Sequence, residues 1–187
     1  MKRKFFVWML IFLGILITSC SGPMYMIKKN TQQIHTDIKP LPGKASLVVF
    51  NTIGRSASGD NLLNYLDKKF IGATKGKSYI VKNDIEPGTK YLSVWCENGI
   101  AVKINFEPGK IYYLENVITS RGILGMARVG FEPNKKSMDE ADLKDLTFYR
   151  IDNSKSVPDL VDEQFKDVIN GAGTLIVSPD GVAKIVK

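Results

Sequence analysis

The sequence predicts a mainly β protein, a β-sandwich of about seven strands followed by a C-terminal helix and a β-hairpin. Three observations support this fold class. Apolar runs rich in β-branched and aromatic residues alternate with polar or glycine-containing breaks from residue 45 onward. Asn98-Gly99 lies between two such runs and is a strong hairpin signal. Two similar turn sequences, IEPGTKY at 85–91 and FEPGKIY at 106–112, flank that hairpin.

The first nineteen residues have the pattern of a lipoprotein signal peptide. Three basic residues precede thirteen apolar or glycine residues at 5–17, a run shorter than the roughly 20 residues of a membrane helix. Ile17-Thr18-Ser19-Cys20 follows and resembles the lipobox of bacterial lipoproteins, which predicts lipidation at Cys20 and a membrane anchor. An ordinary secretory signal and an uncleaved anchor are the alternatives.

Residues 20–44 are predicted to be a lipid-anchored tether, because they show no sustained periodicity and contain three prolines and two glycines. If flexible, this tether would span on the order of 25–30 Å. After removal of the leader, 23 basic residues face 19 acids, a formal charge of +4. Because this charge is mild and no arginine-rich face is present, nucleic acid is not an expected partner. Cys96 is left without a second cysteine, which excludes a disulfide framework.

The predicted sandwich domain covers 45–151. It begins with a buried strand, ASLVVF, and continues with a strand pair at 61–72 for which a short helix is the alternative. Further strands are predicted at 77–84, 110–118 and 146–152, with a short helix before the last. If Asn98-Gly99 forms a two-residue loop, the hairpin register places six side chains on the core face: Tyr91, Ser93, Trp95, Val102, Ile104 and Phe106.

The two E-P-G turns are interpreted as corners where the chain changes sheet. Proline presets φ and glycine accepts positive φ, which are the needs of a type II turn. Such a turn splays a tight hairpin, so it suits a crossing between sheets. We therefore expect a structural role for the repeat and no paired acid site at Glu86 and Glu107.

Residues 152–187 are predicted to be a helix-hairpin appendage. Ser156 is the expected N-cap, and Gly171 the expected stop signal. The helix would present an apolar face made of Leu160, Val161, Phe165, Val168 and Ile169. A closing hairpin is expected at 174–186, with Pro, Asp and Gly in its turn.

No catalytic residue, metal site or cofactor is predicted. The segment 72–78, GATKGKS, has one residue too few for a P-loop and precedes β-branched residues, so nucleotide is not expected. The single histidine, His35, lies in the tether, which excludes serine or cysteine triads and the usual zinc sites within the domain. Asp67, Lys68 and Lys69 leave open a carboxylate- or lysine-based enzyme, although such charges usually lie on a solvated loop.

The segment 122–130, GILGMARVG, is the only contact site that the sequence suggests. It combines three glycines and one arginine with four aliphatic side chains: Ile123, Leu124, Met126 and Val129. Glycine lowers the cost of conformational change, and exposed aliphatic loops are uncommon without a use. A buried strand with bulges is the favoured interpretation, and a mobile, partly exposed contact loop for a protein partner is the hypothesis kept beside it.

The lipobox, ASLVVF, YLDKKFIG, YIVKNDIEPGTKYLSV and INFEPGKIYYLEN together resemble the bacterial lipoproteins grouped as domain of unknown function 2846. The resemblance covers about residues 45–150. It implies an all-β module and no catalytic residues, and Ser21 after the lipidated cysteine favours the outer membrane. The expected function is a non-catalytic envelope protein that binds or scaffolds another envelope component. An envelope-acting hydrolase and a small-ligand or lipid carrier are the alternatives.

Overall fold

The computed structural model describes residues 26–28, 38–52, 61–96, 98–121, 127–133, 140–155, 157–177 and 183–186. The described strands are β1 (Met26–Lys28), β2 (Ala45–Asn51), β3 (Leu62–Leu66), β4 (Lys69–Thr74), β5 (Ser78–Ile85), β6 (Gly88–Trp95), β7 (Gly99–Phe106), β8 (Ile111–Arg121), β9 (Ala127–Pro133), β10 (Thr147–Ile151), β11 (Gly173–Val177) and β12 (Ala183–Val186). Two helices, α1 (Glu140–Lys144) and α2 (Asp162–Ile169), accompany them.

The strands form two sheets of six strands each within the described residues, so the mainly β fold is confirmed. Sheet one has the order β1-β10-β5-β2-β8-β9, and sheet two the order β12-β11-β7-β6-β3-β4. Parallel pairs join β2 to β8 and β10 to β5 in sheet one, and β11 to β7 in sheet two. Nine of these described strands, β2 to β10, lie within 45–151, where about seven were expected, and the segments before 45 and after 151 contribute β1, β11 and β12.

The main core lies between the sheets, and β2 shows how the sequence builds it. Leu47 and Val49 point into the inter-sheet core. Val48 and Phe50 point the other way, where Leu143 and Leu146 cover them. Because both faces of β2 are covered, all seven of its residues are buried. This explains why the sequence of β2 is a continuous apolar run with little alternation.

Both E-P-G turns are corners between sheets, as the sequence predicted. The first joins β5 of sheet one to β6 of sheet two, and the second joins β7 of sheet two to β8 of sheet one. Gly88 has φ of 115° and Gly109 has φ of 76°, which are values that glycine accepts without a steric penalty. In the second turn the Lys110 N–H donates to the Glu107 carbonyl at 3.3 Å.

The predicted register of the β6–β7 hairpin is wrong. Leu92 pairs with Val102 and Val94 with Ile100, and β6 ends at Trp95 whereas β7 begins at Gly99. The observed register differs from the predicted one by an odd number of positions, and an odd shift exchanges the faces of a strand. The core face of β7 was predicted correctly, with Val102, Ile104 and Phe106 buried. On β6 the inward side chains are Leu92 and Val94, so Tyr91, Ser93 and Trp95 lie on the opposite face.

Helix α2 covers that opposite face. The rings of Tyr91 and Phe165 meet edge to face with centroids 6.1 Å apart. A Cβ atom on Gly99 would lie only 2.5 Å from the Trp95 ring and 2.7 Å from Val168, so helix, tryptophan and β7 meet at this glycine. Residues 152–187 are therefore part of the sandwich, because α2 packs on sheet two and β11 pairs with β7. The predicted appendage is wrong in this respect.

The beginning of α2 also differs from the prediction. The helix starts at Asp162 with Val161 at the N-cap position, and Ser156 lies outside the described residues. Val161 is 59% exposed and does not join the predicted apolar face, whereas Leu160 and Val168 are buried. The side-chain oxygen of Gln164 accepts a hydrogen bond from the Val161 N–H at 3.3 Å and thus satisfies one free donor at the helix start.

The predicted tether is partly folded onto the domain. Strand β1 pairs antiparallel with β10, and Met26 is buried in the inter-sheet core. The Met26 sulfur accepts a hydrogen bond from the Ala73 N–H at 3.3 Å. Further along the chain, the Leu41 N–H donates to the Asn83 carbonyl at 3.1 Å. The boundary at 45 is therefore too late, since the short strand at 26–28 already belongs to sheet one.

Candidate functional site

A cleft of about 760 Å³ lies where the β3–β4 turn, β5, the start of β6 and α2 come together. We call it the 66–91 cleft. Its volume lies within the range of about 300–1,000 Å³ that is usual for small-molecule sites. Its floor is apolar and aromatic, formed by Leu66, Phe70, Ile71, Ile85, Tyr91 and Phe165. Sheet two provides one lip and sheet one the other, so only the folded sandwich creates the cleft.

The lip on sheet two is shaped by Asp67. This residue has φ of 56° in the turn between β3 and β4, a left-handed conformation that aspartate tolerates better than most residues. Its backbone N–H donates to the Tyr91 carbonyl at 2.7 Å, and its carboxylate accepts the Tyr91 N–H at 3.0 Å. The same carboxylate lies 3.5 Å from the Lys90 ammonium. Asp67 thus holds the turn on β6 and partly neutralises Lys90.

Two further lysines stand on this lip. Lys68 forms an ion pair with Asp162 of α2, and its ammonium lies 5.9 Å from the centroid of the Phe165 ring. These contacts bring the helix to the mouth of the cleft. Lys69 is exposed and has no ion-pair partner among the described residues.

The lip on sheet one carries two acidic residues, Asp84 and Glu86, and each forms an ion pair with a lysine. The Lys82 ammonium lies 2.8 Å from a carboxylate oxygen of Asp84. The hydrogen bond from Lys82 lowers the pKa of Asp84 below its ordinary value of 3.8, although partial burial opposes the change. Glu86 forms an ion pair with Lys44, the residue that precedes β2.

These pairings decide what chemistry the cleft can support. Lys68 likewise lowers the pKa of Asp162 by a hydrogen bond, so Asp84 and Asp162 stay ionised at neutral pH. A general acid needs the opposite shift, a carboxyl pKa raised toward the working pH. The arrangement suits the binding of a ligand that has both an apolar part and a charge.

The predicted contact loop is only partly within the described residues. Three of its four aliphatic residues, Ile123, Leu124 and Met126, lie outside the described residues, as does the predicted lipidation site Cys20. Val129 is on β9, is 6% exposed and packs with Leu62 and Val94, so its assignment to an exposed loop is wrong. The pairing of β9 with β8 contains a register shift between Ile118 and Ser120. At Val129 and Gly130 the observed structure is therefore the other interpretation, a buried strand beside a bulge.

The other residues noted in the sequence analysis lie in turns, strands or ion pairs of the fold. Segment 72–78 leads from β4 into β5, so no helix follows its glycine-lysine pair. Cys96 is half-buried and packs against the cluster of Leu62, Val94 and Val129. Glu86 and Glu107 bind different lysines, Lys44 and Lys110. Asp67, Lys68 and Lys69 lie in and beside the β3–β4 turn and are partly or fully exposed, as expected for a solvated loop, and they also form a lip of the cleft.

The 66–91 cleft was difficult to predict from the sequence because its aromatic residues are far apart along the chain. Phe70, Tyr91 and Phe165 belong to three different elements, and α2 was expected to lie outside the sandwich. A usable signal was the insertion of Asp67, Lys68 and Lys69 between two apolar runs. Three charges between two apolar strands indicate a solvated connection at the edge of the fold.

Within the described residues, no three metal-binding side chains of His, Cys, Asp or Glu lie close enough together to hold an ion. Neither described helix has the length and hydropathy needed to cross a membrane. Comparison of the chain with protein-family models, with curated proteins and with solved structures gives no match.

Proposed function

We propose that the mature chain is a lipid-anchored protein of the bacterial cell envelope, held in the outer membrane through Cys20. Its domain is a non-catalytic binding module for another envelope component. The observation that supports binding is the 66–91 cleft, which combines an apolar floor with ion-paired lips. Buried aliphatic and half-buried aromatic side chains beside a few charged groups are the usual lining of a small-molecule site.

The state of the carboxylates favours binding over hydrolysis. Asp67 and Asp84 line the cleft, and each has a lysine beside it. A glycosidase needs one carboxyl group that keeps its proton near neutral pH. The lysine beside Asp84 acts in the other direction, since it lowers that pKa. Asp84 is therefore poorly suited to act as the general acid of a hydrolase.

Strand β1 supports a position close to the membrane. Only residues 21–25 separate Cys20 from Met26, the first residue of β1. A fully extended chain over this stretch reaches at most about 20 Å. The domain would therefore stay beside the bilayer, nearer than a free tether to residue 44 would hold it.

A second candidate function, a carrier of a small ligand or lipid, is favoured by the composition of the cleft floor. Leu66, Ile71 and Ile85 are apolar, and three aromatic rings lie beside them. For a protein partner, the segment containing Ile123, Leu124 and Met126 stays a proposed contact, which hydrogen exchange with and without that partner would test.

Two measurements in intact cells test the proposal. Radiolabelled palmitate is expected in the wild-type chain and not in Cys20→Ala, and label retained in Cys20→Ala would disprove the anchor. A photo-cross-linking residue at Thr89, which is exposed in the cleft, should capture an envelope component. The matched control places it at Lys184, exposed on β12 at the far edge of sheet two. Identical adducts from both positions would contradict a binding role for the cleft.

A further inference from the structure

We propose that the 66–91 cleft binds an amphiphile with one anionic head group, a carboxylate or a phosphate, and one apolar chain. Lys69 would face the head group, and the aromatic floor would cover the chain. This inference rests on the proposed function for the source of the ligand, since the envelope supplies such molecules. It is otherwise argued from the charges and backbone contacts around the cleft.

The floor provides the apolar half of the site. Ile71 and Ile85 are buried at its base, whereas Phe70, Tyr91 and Phe165 are only half-buried. Half-buried rings beside one another leave apolar area in contact with water. Covering such area is favourable by about 25 cal/mol per Å². A hydrocarbon chain lying on the three rings would remove this surface from water.

The balance of charge determines the head group. On the lip of sheet one, Lys82 is matched by Asp84, and Glu86 by Lys44. On the lip of sheet two, Lys68 is matched by Asp162, and Lys90 by Asp67. Lys69 therefore carries a surplus positive charge among the described residues that line the cleft. A ligand with one negative charge would neutralise this surplus charge of Lys69.

The backbone at this lip argues against an extended peptide as the ligand. Peptides that extend a sheet need free N–H and C=O groups along an edge strand. At the start of β4, the Lys68 carbonyl already accepts the Leu160 N–H at 2.9 Å. The Phe70 N–H donates to the Asp159 carboxylate at 3.3 Å. Residues 159–160 thus occupy the backbone groups of residues 68 and 70 at the edge of sheet two. A ligand in the cleft would therefore be recognised by side chains.

Photoreactive lipid analogues test the proposal with the full chain in living cells. One culture receives a diazirine fatty acid and another a diazirine lysophospholipid, and the protein is digested with a protease that does not cleave at lysine. Light-dependent label is expected on peptides of residues 66–91. The mass of the adduct on those peptides shows whether the bound head group is a carboxylate or a phosphate. Label attached to Cys20 without light reports the anchor, so failure of the anchor and failure of the cleft are distinguishable.

Two variants and a control make the test specific. Lys69→Glu should reduce cleft labelling about tenfold, because it replaces an attractive contact to the head group with a repulsive one. Thr89→Trp should block the cleft without altering the core, since Thr89 is exposed. Lys184→Glu changes the charge equally at the opposite edge of sheet two and should leave labelling unchanged. Labelling that is unaffected by Lys69→Glu, label spread over the whole surface, or a peptide cross-linked in the cleft would overturn the proposal.

Discussion

The side-chain amide of Asn116 on β8 donates a hydrogen bond of 2.8 Å to the side-chain oxygen of Asn64 on β3, and so joins the two sheets through the core. Asn116 also donates to the Thr74 hydroxyl at 3.1 Å, and Asn64 donates to the Leu62 carbonyl at 3.0 Å. Both asparagines are completely buried. Because buried polar groups are costly when unpaired, this connection favours one alignment of the sheets.

We predict that Asn116→Ala lowers the free energy of unfolding by about 1–3 kcal/mol, because the oxygens of Asn64 and Thr74 lose a donor inside the core. Urea denaturation followed by circular dichroism measures the effect. Asn105→Ala is the matched control, since Asn105 is exposed on β7, and it should change stability by less than about 0.5 kcal/mol. Equal effects of the two substitutions would show that the inter-sheet hydrogen bonds do not stabilise the fold.

A second prediction concerns the tyrosine at the β7–β8 corner. The Tyr112 hydroxyl donates to the Asn105 carbonyl and accepts the Glu107 N–H, both at 2.9 Å. Tyr112→Phe should lower the free energy of unfolding at neutral pH by about 1–2 kcal/mol. Tyr113→Phe is the control, because Tyr113 is half-buried on the next position of β8. A loss no larger than that of the control would contradict the role of the hydroxyl.

The same tyrosine predicts a dependence of stability on alkaline pH. Burial raises the pKa of Tyr112 above its ordinary value of 10.0, and burial does the same for Tyr113 and Tyr149. The folded state therefore favours the neutral phenol, so the stabilisation is complete below pH 10 and is lost as pH rises through the folded-state pKa. The urea concentration at the midpoint of unfolding should decrease as the pH rises above 10. The decrease should be smaller in Tyr112→Phe than in the wild-type chain. A midpoint that is constant to pH 11 would refute this.

We predict that Gly99→Ala destabilises the protein by about 1–3 kcal/mol, since overpacking has a cost of this size. The added methyl group would overlap the Trp95 ring and Val168 and would push α2 away from sheet two. Tryptophan fluorescence should shift as Trp95 gains solvent. Gly171→Ala is the control, because no atom lies within 4 Å of a Cβ at that position. If both variants unfold at the wild-type urea concentration, the contact between α2 and the hairpin is not as described.

Deletion of residues 157–187 should abolish cooperative unfolding. It removes the buried side chains of Leu160, Val168 and Leu175, and it exposes the edge of β7 where β11 pairs. Thermal unfolding by circular dichroism compares the shortened chain with the full chain. A cooperative transition near the wild-type temperature would restore the view of this segment as an appendage.

Local sequence signals determined the strands and their corners. The apolar run of β2, the strand pair β3–β4 and the two E-P-G turns each depend on neighbouring residues, through side-chain alternation and the φ preferences of proline and glycine. These features could therefore be predicted element by element. The core face of β7 was also correct, because Val102, Ile104 and Phe106 alternate with a lysine and an asparagine.

What the sequence alone determined is thus the mainly β fold class, the sheet-changing turns and, as a prediction, the lipidation of Cys20. Only the tertiary structure decided the face of β6, because the pairing with β7 has a different register from the predicted one and α2 packs beside Tyr91 and Trp95 on the face opposite the core. It also decided that β1, α2 and β11 belong to the sandwich. The strands β1 and β11 pair with strands that are distant along the chain, and α2 packs on a distant strand as well. The 66–91 cleft arises from the same long-range packing, which brings Lys69, Ile85 and Phe165 together.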